Sequence, residues 1–95
     1  MTRIEVFQQA LDGCRGLGQQ FPDNPLLKSA QTQMQYLIDL EQGERDGGGC
    51  LSDINVGLIA VREIEGVDDD LADWICERVC PLVDEMRQET GNPAG

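Results

Sequence analysis

Pro22-Asp23-Asn24-Pro25 stands between two stretches of helical periodicity, and reading it as a stop followed by a restart decides the fold. Before it, Ile4, Phe7, Leu11, Cys14, Leu17 and Phe21 recur every three or four residues, drawing one apolar stripe along a helix that Pro22 ends. Thr2 and Glu5 have capping-box spacing, in which each side chain satisfies a free N–H of the first turn, and they predict where that helix begins. Gly13 and Gly16 weaken it without overturning the pattern. After the break, Asn24 is placed to cap and Pro25 to take the first helical position, where its missing N–H has no partner to lose. A second helix is predicted from Pro25 to about Gln42. Leu27, Ala30, Met34, Leu37 and Glu41 form its main track, Leu26, Gln33, Tyr36 and Leu40 flank it, and Gly43 is its C-cap. Two such helices joined by so short a break pair as an antiparallel hairpin.

Further along, residues 43–49 read Gly-Glu-Arg-Asp-Gly-Gly-Gly, a flexible glycine-rich loop without apolar anchors. Ser52 is placed to cap a third helix carrying Ile54, Val56, Leu58, Ile59, Ala60, Val61 and Ile64, with Gly57 as a point of close approach to a neighbour. This segment is apolar on most sides and is predicted to be the central, most buried element. Its β-branched residues also suit a strand, but length and capping favour a helix. Gly66 ends it, and Asp68-Asp69-Asp70 puts carboxylates at the positive end of a fourth helix. Leu71, Trp74, Ile75, Val79, Leu82, Val83 and Met86 mark the buried face of that helix, and Pro81 predicts a kink or break after Cys80. The tail 91–95 is expected to fray. With no internal repeat and no second core, the expectation for residues 1–95 is a single all-α domain, a small antiparallel bundle of four helices, or five if Pro81 splits the last.

Composition narrows function. Eighteen acidic residues face seven basic ones, the net charge is −11, and there is no histidine. The charge repels nucleic acid and anionic lipid, which are held chiefly by lysine and arginine. Without imidazole the chain lacks the commonest proton shuttle near neutral pH and the commonest metal ligand. A hydrophobic content of 40% is too high for a disordered acidic tail, so a folded binder of a basic protein partner is the natural reading. No stretch approaches 18 consecutive apolar residues, and Met1-Thr2-Arg3-Ile4-Glu5-Val6 lacks the apolar core of a signal peptide. A cytoplasmic protein with Cys14, Cys50, Cys76 and Cys80 as reduced thiols is expected.

Cys76 and Cys80 have the spacing of a two-thiolate half-site, but free cysteines are also commonly buried and no histidine completes a site, so no metal is expected. Glu63 with Glu65, or Asp68 to Asp70, are candidate acid–base or cation groups that capping and solubility explain more simply. Gly47-Gly48-Gly49 is followed by Cys50-Leu51, not by the lysine and hydroxyl of a phosphate loop. The residues therefore predict no cofactor and no enzyme. As an interface, the same carboxylates speed encounter with a cationic partner and can occupy a site built for an anion.

Two stretches carry a resemblance. Leu26-Leu27-Lys28-Ser29-Ala30 with Gln33-Met34-Gln35-Tyr36-Leu37, and Gly57-Leu58-Ile59-Ala60-Val61-Arg62-Glu63-Ile64-Glu65 leading into Asp68-Asp69-Asp70-Leu71, resemble a family of small bacterial immunity proteins. Known members neutralise an NAD(P)⁺ glycohydrolase toxin delivered by the type VI secretion system. The resemblance covers about residues 2 to 80. It implies an all-helical protein in the producer's cytosol that binds the toxin domain, one partner per chain, and blocks its active site. It also implies Gln33, Tyr36, Arg62, Glu63, Glu65, Asp68, Asp69 and Asp70 as toxin contacts to be tested. Each has a structural alternative: Tyr36 can cover the hairpin with its ring, Arg62 can pair with a nearby acid, and Glu63 and Glu65 cannot share one narrow helix face. The alternative function is a protein-interaction module that inhibits nothing, such as an adaptor or effector chaperone.

Overall fold

The computed structural model describes residues 1–43 and 54–90, all of it helix, turn or coil. Helix α1 spans Arg3–Gln20, and its first turn is closed by Thr2 and Glu5 in the expected capping box. Helix α2 spans Pro25–Glu41, with Asn24 Oδ1 accepting from the N–H groups of Leu26 and Leu27. It ends at Gln42, and Gly43 lies one place beyond the cap with φ +82°. Helix α3 runs as Val56–Ile59 and then widens into a π turn, Ala60–Ile64. Helix α4 starts at Asp69–Trp74, passes through a second π turn, Ile75–Val79, and continues as Cys80–Thr90.

Cross-helix bonds fix the topology. Arg3 reaches Glu41 while Gln31 reaches the Cys14 carbonyl, so α1 and α2 run antiparallel. Gln33 meets Asn55 and Asn24 meets Glu63, which sets α3 against α2 in the same sense. Gly57 lies against Cys80 and Arg87 donates to the Ile54 carbonyl, so α4 returns along α3. Gly13 lies against Leu71 and Trp74 Nε1 donates to the Val6 carbonyl, closing α4 onto α1. The result is an up-down-up-down bundle of four helices.

One apolar cluster fills the middle, with Phe7, Leu11 and Cys14 from α1, Leu27, Met34 and Leu37 from α2, Ile59 and Ile64 from α3, and Ile75 and Val79 from α4. Among the described residues no polar or charged residue is fully buried.

Three expectations are corrected. Phe21 leaves the α1 stripe: as the C-cap residue its backbone is no longer helical, and its ring turns outward, 44% exposed. The apolar sides of the third helix are not all covered: α3 packs against α2 and α4, while Leu58 and Val61 face solvent, 50% and 54% exposed. Pro81 does not break the last helix. The π turn before it sends the Cys80 N–H to the Ile75 carbonyl, so the widened register absorbs the donor that proline lacks. The cap of α3 falls at Asn55, whose side chain makes no capping bond; Ser52, most of the glycine-rich loop and the tail 91–95 lie outside the described residues.

Candidate partner-binding surface

The eight candidate contacts divide by what the fold asks of them. Gln33 forms a two-way amide pair across the α2–α3 gap: its Nε2 donates to Asn55 Oδ1 at 2.7 Å and its Oε1 accepts from the Asn55 N–H at 2.8 Å. That pair uses the side chain that would otherwise cap α3. Asp68 is the N-cap of α4, accepting from the Leu71 N–H at 3.1 Å. Asp69 Oδ1 accepts from the Gly66 N–H at 2.7 Å, closing a turn in which Gly66 has φ +91°, a conformation that glycine alone enters freely. Glu63 is half-buried and accepts from Asn24 Nδ2 at 2.7 Å. Tyr36 is half-buried and packs against the core.

Arg62, Glu65 and Asp70 are exposed, and among the described residues Arg62 forms no ion pair, so the local pairing considered for it does not occur. Leu58 and Val61 are exposed on the same short helix as Arg62, and Val67 is 53% exposed in the turn that follows. Charge and exposed apolar area thus occur together between residues 58 and 70. Sequence reading assigned Leu58 and Val61 to the core because an apolar residue on a short helix carries no mark of which side faces a neighbour.

A second feature includes Glu63 of α3. Phe21, Pro22, Asp23, Pro25, Leu26 and Glu63 line an open groove of about 570 Å³ at the α1–α2 turn. Asn24 joins its two sides, holding Leu26 and Leu27 with one end of its amide and Glu63 with the other.

Among the described residues, the thiols of Cys14, Cys76 and Cys80 offer little nucleophilic character. Burial pushes Cys14 up to about 11. Burial, then the charge of Asp73 and other acids, raises Cys76, and burial raises Cys80, so all three favour the protonated form. Among the described residues, no group of three or more histidine, cysteine, aspartate or glutamate side chains is gathered to hold a metal ion. None of the described helices is long and apolar enough to cross a membrane.

Fold and surface define a small acidic helical bundle whose polar side chains serve caps, turns and cross-helix bonds. The chain belongs to the Tsi6 family, a family of type VI secretion immunity proteins, whose model matches residues 2–77. No curated protein and no solved structure matches the chain. The matched span takes in α1, α2, α3 and the first part of α4, and with them all eight candidate contacts. Membership of an immunity family implies a toxin as the partner.

Proposed function

We propose that this protein binds one NAD(P)⁺ glycohydrolase toxin domain, one to one, and covers its active site, acting in the cytoplasm of the producing bacterium as a stoichiometric inhibitor with no catalysis of its own. Membership of the immunity family is the observation that carries the reading. The charge supports it: an enzyme that cleaves NAD(P)⁺ must hold a pyrophosphate, so the mouth of its site attracts anions, and a surface from a chain of net charge −11 competes for that field. Exposed Arg62, Glu65, Asp69 and Asp70, with Leu58, Val61 and Val67 between them, provide the mixture of apolar area and charge that interfaces use. Glu63 is assigned to the interface as a direct contact, and Gln33, Tyr36 and Asp68 as residues whose intramolecular contacts hold it in shape.

Co-expression tests the reading. A host making the toxin domain should stop growing, recover when this protein is supplied, and yield a co-eluting one-to-one complex. A stable complex without recovery would replace inhibition by the adaptor or effector-chaperone reading.

A further inference from the structure

We infer that the groove at the α1–α2 turn is an anchor for an arginine side chain of the toxin, with Glu63 pairing the guanidinium and Phe21 covering its face. The inference rests on the proposed function and adds the chemistry by which the partner is gripped.

Three observations carry it. First, Glu63 is half-buried, and one oxygen is fixed by Asn24 Nδ2 at 2.7 Å. Asn24 is itself immobilised by capping α2, so the carboxylate is held in place before a partner arrives, and the ordering cost of binding falls. Second, among the described residues neither Glu63 nor Asp23 forms an ion pair, although both line the groove. A partly desolvated carboxylate without a cation is a charge that a partner can complement. Third, Phe21 is 44% exposed beside Pro22 and Pro25, two residues with a fixed φ, so the apolar wall is rigid and includes an aromatic ring.

Arginine fits this combination better than lysine. Its planar guanidinium can bind a carboxylate through two parallel hydrogen bonds and stack on an aromatic ring at the same time, whereas an ammonium is a compact, strongly hydrated charge. The two carboxylates repel nucleotides and other anions from the same groove.

Two arms test the proposal. In the first, N-acetyl-L-arginine amide is titrated into isotopically labelled protein, and saturable resonance shifts are expected only at residues 20–26 and around Glu63. They should vanish in Glu63→Gln, which keeps an acceptor for Asn24 and removes the charge. Absent shifts, dispersed shifts, or shifts that persist in that variant overturn the proposal. In the second arm, Glu63→Gln and Phe21→Ala should each weaken toxin binding about tenfold or more, as buried arginine anchors do, while thermal midpoints stay near that of the wild type. If the wild type binds and both variants bind within about twofold of it, the groove is not the anchor and the proposed function stands; if the wild type itself does not bind, both fall.

Discussion

Gly57 and Cys80 meet where α3 crosses α4. A Cβ on Gly57 would lie 2.8 Å from Cys80 Sγ, closer than atoms of that size tolerate. Gly57→Ala should therefore cost about 1–3 kcal/mol through overpacking, partly offset by the better helix propensity of alanine. The double variant Gly57→Ala, Cys80→Ala should recover most of the loss, which a double-mutant cycle in denaturant would measure. Additive single effects would show that the contact is not the cause. Gly57 was legible as a point of close approach because a glycine within an apolar helical run has few other uses. Its partner was not legible, since nothing local connects residue 57 with residue 80. The same holds for Gly13: in the sequence it only weakens α1, yet in the fold it makes room for Leu71, whose Cδ1 would lie 2.6 Å from an added Cβ.

Asn24 shows what a single element boundary can hold together. It caps α2 through Oδ1 and holds Glu63 of α3 through Nδ2, so Asn24→Ala removes a cap and a cross-helix bond together. The expected loss is about 1–2 kcal/mol, read as a shift of the unfolding midpoint. Asn24→Asp retains the cap acceptor but opposes two carboxylates, and should fall between the alanine variant and the wild type. A loss near zero in the alanine variant would mean that water replaces both bonds. Helix starts were legible at Thr2, Asn24 and Asp68 because capping is local chemistry, decided within three or four residues. The π turns were not. A π turn follows from how α3 and α4 seat against their neighbours, and the spacing of Ile75, Val79 and Val83 fits an ordinary α pattern equally well. Once the wide turn is in place Pro81 no longer forces a break, so the expectation of a split helix failed for a tertiary reason. Likewise, the outward turn of Leu58 and Val61 depends on where α2 and α4 stop covering α3, which no periodicity records.

Across the whole molecule, Arg3 gathers the ends of three helices. Its guanidinium meets Glu41 of α2 at 3.2 Å and Glu85 of α4 at 3.2 Å, and also binds Glu89 of α4. The Arg3 side chain holds the Glu89 carboxyl below its usual value of 4.5, and the Thr2 backbone N–H does the same for Glu5 in the capping box. A carboxyl whose pKa is lowered by folding adds stability above its unfolded value, and loses it as pH falls through the folded one. Wild-type stability should therefore decline on acidification below about pH 4.5, after a rise on the mildly acidic side as the self-repulsion of a −11 chain is relieved. Arg3→Met should be less stable than the wild type at neutral pH, and the difference should narrow below that pH. A difference independent of pH would assign the effect of Arg3 to packing. The charge that sets this pH response also governs encounter: association with the toxin should slow markedly as salt rises, since the Debye length is about 8 Å at physiological ionic strength. An association rate independent of salt would leave the acidic surface with a role in solubility alone. Net charge was fully legible in the sequence, and so was the four-helix order; the gathering of residues 3, 41, 85 and 89 was not, because it joins residues that are neighbours only once the bundle has closed.

Steady-state NAD⁺ consumption by the purified toxin domain, measured while this protein is added in increments, tests the central claim most directly. The account predicts a fall that ends at one equivalent, with excess NAD⁺ slowing the onset of inhibition because ligand and protein compete for the same mouth. Undiminished consumption at several equivalents, with a complex present in the same solution, would contradict it.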